Sequence, residues 1–188
     1  MERHNVRKFT HFVSLPLTSE GSKSLLRQYQ SLVNDCFKSH EQKALQPNNP
    51  NIFHVTICML SLDHKAQIKT KAICDRLAPQ IQQLLEKVEL SFTGLGYFQS
   101  GSKPHEGINV LYLDIAENEA FARLLKVADL LIKNFVDEQI LLPEDFRPSY
   151  LSYDEQTKCY KPDKLHVTMF YVSDWKGVTF REAVESAR

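Results

Sequence analysis

Two short segments of the chain repeat one combination of residue types, a histidine and a threonine separated by one valine. The first covers residues 54–56 inside FHVTICML, and the second covers residues 166–168 inside LHVTMFYV. An imidazole changes its charge near neutral pH, so two of them can divide acid and base work at pH 7. A hydroxyl beside each can donate a hydrogen bond to a phosphate oxygen, and a histidine cation adds positive charge where negative charge develops. The combination suits in-line attack on a phosphodiester without a metal ion.

Both repeats lie in apolar runs that are typical of buried strands. Side chains at positions i and i+2 of a strand share one face. We therefore expect His54 and Thr56 to lie on one side of their strand, with Val55 pointing into the core. His166 and Thr168 repeat the arrangement, so each strand offers one imidazole next to one hydroxyl.

The elements that must hold these strands can be predicted from the spacing of apolar residues. Strands are predicted over 9–17, 52–60, 88–98 and 108–115, and helices over 22–38, 63–87 and 118–140. Pro79 is expected to bend or split the second helix, and residues 99–107 are expected to form the loop of a hairpin. Residues 141–164 are expected to be a long connection, functional or mobile, before the strand of the second repeat. This order predicts an α+β chain in two comparable halves, each supplying one repeat.

Composition limits the function classes that remain. Of 188 residues, 23 are Lys or Arg and 23 are Asp or Glu. With no net charge, the chain is not expected to bind duplex nucleic acid through many phosphate contacts over a wide surface. The four cysteines fit no metal-ligand spacing and indicate reduced thiols, and no carboxylate or cysteine stands where it would complete a metal site with the two histidines. The polar start MERHNVRK has no apolar signal segment. We expect an intracellular monomer that needs neither a metal nor another cofactor.

The two motifs, set 112 residues apart in the two halves of an α+β chain, resemble those of the two-histidine (2H) phosphoesterase superfamily, which includes RNA ligase-like proteins and cyclic phosphodiesterases. Four segments are similar to segments of the activating signal cointegrator 1 complex subunit 1 and of A-kinase anchoring protein central domains: THFVSLPL, FHVTICML, INVLYLDI and KLHVTMFYV. The likeness extends over about residues 9–175.

The resemblance implies a fold in which two antiparallel sheets form a V-shaped groove, with helices outside and a pseudo-two-fold axis. Residues 1–188 would be one domain of two lobes, with residues 1–8 as a flexible tail. The implied reaction is metal-independent cleavage of 2′,3′-cyclic or 2′-5′ phosphodiesters at RNA ends or in small nucleotides, in the nucleus or the cytoplasm. His54 and His166 would be the acid and base, in an order that the sequence does not fix, and Thr56 and Thr168 would hold the phosphate.

A nucleotide also needs a surface for its base, which aromatic side chains supply by stacking. The candidates are close in sequence to the hairpin turn or to the second motif, and they are Phe98, Tyr160 and Tyr171, with Tyr97 beside Phe98 at the turn. Lys161 is the first candidate for a phosphate contact. Further cations of the same kind are Lys103, Arg147 and Lys164.

Other functions fit the same residues. A non-catalytic member of the fold would bind a nucleotide without cutting it, or would serve as a protein-docking module in a larger complex. A structural scaffold would neither bind nor cleave nucleotides. A shared fold does not decide between these functions. Hydrolysis assays on the wild type and on His54→Ala and His166→Ala separate them.

Overall fold

The computed structural model describes residues 8–38, 42–43, 45–99, 108–146 and 150–172. Eight strands, three α-helices and two short 3₁₀ helices follow one another along this part of the chain. In order they are β1 His11–Pro16, α1 Ser19–Cys36, β2 Leu45–Pro47, a 3₁₀ helix Pro50–Ile52, β3 His54–Leu60, α2 His64–Leu84, β4 Phe92–Gln99, β5 Ile108–Ile115, α3 Glu119–Asp137, a 3₁₀ helix Pro143–Asp145, β6 Leu151–Asp154, β7 Cys159–Pro162 and β8 His166–Val172. The predicted α+β class is confirmed.

The strands form two sheets. One has six strands in the order β1-β3-β8-β5-β4, with β2 also paired to β8, and the other is the hairpin of β6 and β7. β8 is antiparallel to β2, β3 and β5, and β4 is antiparallel to β5 as predicted. The V-shaped groove and the pseudo-two-fold axis stay predictions.

The chain divides into two compact units. Among the described residues, the first unit contains 8–14, 56–90, 117–146 and 150–165, and the second contains 15–38, 42–43, 45–55, 91–99, 108–116 and 166–172. The boundary within β3 falls between Val55 and Thr56. The single domain with a tail over residues 1–8 remains a prediction, and residues 1–7 of that tail lie outside the described residues.

The helices of the first unit begin at side-chain caps. Asp63 accepts a hydrogen bond from the Ala66 amide at 2.7 Å, and Asn118 caps α3 through the Phe121 amide at 3.1 Å. The prediction that Asn118 starts the helix is confirmed. Pro79 was expected to bend or split α2; the helix continues unbroken through it, so the split is wrong and the bend stays a prediction.

The buried face of α3 supplies much of the core of the first unit. Its buried residues recur at helical spacing and are Leu124, Val127, Ala128, Leu131, Ile132 and Phe135. The helix ends at Asp137 rather than at residue 140. No helix in the described part of the chain is long and apolar enough to cross a membrane.

Three strands were not predicted. β2 lies in a stretch rich in turn residues and has only three residues. β6 and β7 form a hairpin within residues 141–164, where a long connection was predicted. Short strands with few apolar residues show no clear alternation of apolar and polar positions, so these three strands could not be predicted from the sequence.

Candidate active site

His54 is the first residue of β3, and its ring is oriented by the backbone just before it. The strand alternates as predicted, with Val55 and Ile57 each only 1% exposed and His54 half-buried. His54 Nδ1 lies 2.7 Å from the carbonyl oxygen of Ile52. Because a carbonyl oxygen can only accept, Nδ1 carries a proton, and Nε2 is the nitrogen that can take up or release one.

His166 and Thr168 lie on β8 in the same pattern. Both are half-buried, while Val167 and Met169 are fully buried. The burial of the first five residues of β8 matches that of the first five residues of β3, with two consecutive buried positions at the fourth and fifth residues. The two copies of the motif therefore anchor their strands in the core in the same way.

The two motif strands pair at the valines. Val55 is opposite Val167 in an antiparallel register. Regular pairing on either side of these valines would put His54 opposite Thr168 on the neighbouring strand. His166 would then be the diagonal neighbour of His54, and such positions of a regular pair lie about 7–8 Å apart, with their Cβ atoms somewhat closer. At that separation two imidazoles can contact different sides of one phosphate group.

Thr56 follows His54 on the same strand and is also half-buried. It is the first residue of β3 that belongs to the first unit. Its role in holding phosphate stays a prediction from the repeated motif.

Two aromatic rings contact the imidazole of His166. The ring centroid of Phe98 lies 4.9 Å from that of His166, with the planes at 77°. Tyr112 lies at the same distance from His166 and 4.5 Å from Phe98. Phe98 is 38% exposed and Tyr112 is buried. The structure thus brings the predicted stacking residue Phe98 next to the second histidine.

Tyr112 was missed by the sequence analysis, although one signal was available. The alternation of INVLYLDI puts Tyr112 and Asp114 on one face of β5. The register places Tyr112 opposite Thr168 and Asp114 opposite His166. That register depends on a bulge in β8, where Met169 is skipped between the pairs Leu111–Phe170 and Tyr112–Thr168, and no pattern in the sequence reveals it.

The bulge also determines where Tyr171 lies. Met169 and Phe170 are consecutive buried residues, so the alternation shifts and Tyr171 lies on the same side of β8 as Thr168. Tyr171 is 50% exposed and pairs with Gln46 of β2. It remains a candidate for base stacking.

Tyr160 and Lys161 belong to β7 in the first unit, whereas His54 and His166 belong to the second. The Tyr160 ring packs at 4.8 Å from Tyr153 and at 5.6 Å from Phe146, measured between centroids. Burial raises the pKa of Tyr160.

The ammonium group of Lys161 donates to the carboxylate of Asp154 at 3.1 Å. That bond and two backbone amides lower the pKa of Asp154 to about 2. A phosphate would have to compete with this carboxylate for Lys161. The roles of Tyr160 and Lys161 stay predictions.

Of the remaining cations, Lys164 is half-buried just before β8. Lys103 and Arg147 lie outside the described residues. Within the ranges that the structure describes, no group of three or more His, Cys, Asp or Glu side chains is arranged to hold a metal ion.

Comparisons with known proteins match the architecture of the chain. Residues 9–183 match the model of the family described as the AKAP7 2′5′ RNA ligase-like domain. No curated protein matches the chain.

Two solved structures have a similar fold. TT0787 of Thermus thermophilus is 19% identical, with a TM-score of 0.53 over 89% of this chain and 76% of that one. The MHV ns2 PDE domain is 11% identical, with a TM-score of 0.50 over 90% of this chain and 87% of that one. At such identities the likeness shows the shared fold. By the family match and this fold, the chain belongs to the AKAP7 2′5′ RNA ligase-like domain family, within the 2H phosphoesterase superfamily.

Proposed function

We propose that the protein is a phosphodiesterase that cleaves 2′,3′-cyclic or 2′-5′ linkages at RNA ends or in small nucleotides. The observation that carries the proposal is the pairing of Val55 with Val167. Regular antiparallel pairing on either side of these valines would make His54 and His166 diagonal neighbours on one face, with Thr168 opposite His54. The name of the MHV ns2 PDE domain, which shares the fold, supports a phosphodiesterase reaction.

In the proposed reaction one imidazole removes a proton from water as its oxygen forms a bond to phosphorus. The bond from phosphorus to a ribose oxygen breaks, and the other imidazole gives that oxygen a proton. His54 acts through Nε2, because its Nδ1 proton is donated to Ile52. The Thr168 hydroxyl donates to a non-bridging phosphate oxygen, and its charge-assisted bond strengthens as negative charge develops there. By the repeat of the motif, Thr56 serves the same purpose.

Phe98 is the residue best placed to stack on a nucleotide base. Its ring contacts His166 and is 38% exposed, so a base lying on it would be next to a reacting phosphate. Stacking of this kind tolerates every base, because each has a π-face. The proposal therefore predicts weak base preference in the nucleoside next to the scissile bond.

The test is hydrolysis of a panel of 2′,3′-cyclic and 2′-5′-linked nucleotides by the wild type and by three histidine variants. His54→Ala and His166→Ala are each expected to lower kcat by about 100- to 10,000-fold, the usual contribution of an acid or base. His64→Ala is the control, since His64 is an exposed first residue of α2. Nucleotide binding without turnover of any substrate would favour the non-catalytic alternative instead.

A further inference from the structure

Asn48, the residue after β2, donates hydrogen bonds to the strand of the second motif from both its backbone and its side chain. Its amide N–H donates to the Met169 carbonyl at 2.7 Å, and its side-chain Nδ2 donates to the Thr168 carbonyl at 3.2 Å. The residue is 7% exposed. These two carbonyls belong to the β8 bulge, where Met169 is skipped in the pairing with β5. Asn48 therefore fixes the backbone at the place where the ladder to β5 is interrupted.

The side-chain oxygen of Asn48 begins a series of hydrogen bonds that ends at the ring of His54. Its Oδ1 accepts from the Asn49 amide at 3.0 Å. The side chain of Asn49 accepts from the Asn51 amide at 2.9 Å, and the Asn49 carbonyl accepts from Ile52 at 3.0 Å. Asn49 thus caps the 3₁₀ helix whose last residue, Ile52, accepts the bond from His54 Nδ1 at 2.7 Å.

We propose that the segment Asn48–Ile52 positions the His54 imidazole relative to the backbone of Thr168, with Asn48 as the positioning residue. The inference deepens the proposed function and rests on it. Two motifs that are 112 residues apart in sequence are connected here by five consecutive residues.

The physical reason is that every backbone N–H of the connection, those of Asn48, Asn49, Asn51 and Ile52, donates to a definite acceptor. A buried amide that loses its acceptor costs free energy, so the bonds of Asn48 to β8 select one placement of the segment. Pro50 restricts the backbone at the start of the 3₁₀ helix. The Ile52 carbonyl is consequently held where it accepts from Nδ1, which fixes both the tautomer and the plane of the ring.

Three variants test the connection. Asn48→Ala removes both side-chain bonds. Asn48→Asp keeps an acceptor for the Asn49 amide but cannot donate to the Thr168 carbonyl. Asn134→Ala is the matched control, because Asn134 also donates from its side chain to a backbone carbonyl, that of Leu130 at 2.8 Å, and lies on α3 of the first unit.

The first readout is the tautomer of His54, measured by nitrogen NMR of the imidazole at a pH where the ring is neutral. It does not depend on turnover. The wild type and Asn134→Ala are expected to show the proton on Nδ1. Asn48→Ala and Asn48→Asp are expected to show a mixture with the Nε2-protonated form.

The second readout is kinetic. A misplacement of about 1 Å of a reacting group lowers the rate by about 100-fold, so both Asn48 variants are expected to lose about 10- to 100-fold in kcat. KM is expected to change by less than about 3-fold, because no contact with substrate is removed. Asn134→Ala is expected to keep the wild-type kcat even where its unfolding temperature falls as far as that of Asn48→Ala.

The outcomes separate this inference from the proposed function. If the wild type turns over no nucleotide, the proposed function fails, yet the tautomer measurement still decides whether Asn48 controls the His54 ring. If the wild type is active and Asn48→Ala keeps both kcat and the Nδ1 tautomer, the positioning role is wrong. A loss of kcat equal to that in Asn134→Ala would also overturn it, because it would reflect stability alone.

Discussion

Replacement of Gly96 by alanine is predicted to disturb His166 through Tyr112. Gly96 pairs with Tyr112 across β4 and β5, and a Cβ atom at Gly96 would lie 2.5 Å from Tyr112 Cζ and 2.8 Å from its hydroxyl oxygen. Carbon atoms pack at about 3.5–4.0 Å, so the ring must move by about 1 Å. That ring contacts both His166 and Phe98.

The magnitude follows from these contacts. Overpacking of this kind destabilises a protein by about 1–3 kcal/mol, which lowers the unfolding temperature by about 2–12 °C for a chain of this size. Movement of the Tyr112 ring by about 1 Å against His166 is expected to lower kcat by about 10- to 100-fold. Thermal unfolding and hydrolysis of the preferred nucleotide measure the two effects.

A double-mutant cycle identifies the cause. In a Tyr112→Leu background the ring is absent, so Gly96→Ala is expected to change the free energy of unfolding by less than about 1 kcal/mol. A gain in stability is also consistent with the clash, because glycine weakens a strand interior. If Gly96→Ala is equally damaging in both backgrounds, the clash with Tyr112 is not the reason. If Gly96→Ala leaves both kcat and the unfolding temperature unchanged, the close packing described here is wrong.

Three further predictions concern single groups. The pKa of Asp154 is lowered from 3.8 to about 2, mainly by its bond to Lys161. Its contribution to the free energy of unfolding is therefore complete above pH 3.8 and is lost as the pH falls towards 2. Asp154→Asn should remove this part of the pH dependence of the unfolding temperature. Burial raises the pKa of the Cys58 thiol to about 12, so iodoacetamide at pH 8 should modify the half-buried Cys159 and leave Cys58 intact in the native protein, as read by mass spectrometry. Thr168→Val should lower kcat/KM by about 10- to 150-fold, the loss of one hydrogen bond to a charged group worth about 1.5–3 kcal/mol, with unfolding temperature as the control.

Much of the fold could be predicted because long elements carry a strong period. The strand Ile108–Ile115 was predicted with its observed bounds, and the start of α3 was predicted to within one residue. The short strands β2, β6 and β7 were not predicted, since three or four residues do not establish a period. Their existence depends on partners that are distant in sequence, as in the pairing of Gln46 with Tyr171.

Some residues of the candidate site could likewise be predicted from the sequence, and others could not. The two motifs were visible as residue types at a fixed spacing, and so was Phe98 as an aromatic residue near a turn. Asn48 and Tyr112 were not recognised, because their importance comes from the register of β8 with β2 and β5. A change of that register by one residue would turn the Tyr112 side chain to the other face of the sheet relative to His166. The register depends on the bulge in β8, on which the sequence gives no information.

The two histidines are alike in sequence but are held by different means, which leads to a last prediction. The His54 ring is held by a backbone carbonyl, whereas the His166 ring is packed against Phe98 and Tyr112. Phe98→Leu is therefore expected to shift the imidazole proton resonances of His166, because it removes a ring current, and to leave the tautomer of His54 unchanged. Asn48→Ala is expected to alter the tautomer of His54. If Phe98→Leu changes the tautomer of His54 as strongly as Asn48→Ala does, the two rings are not positioned independently, and the assignment of separate supports to them is wrong.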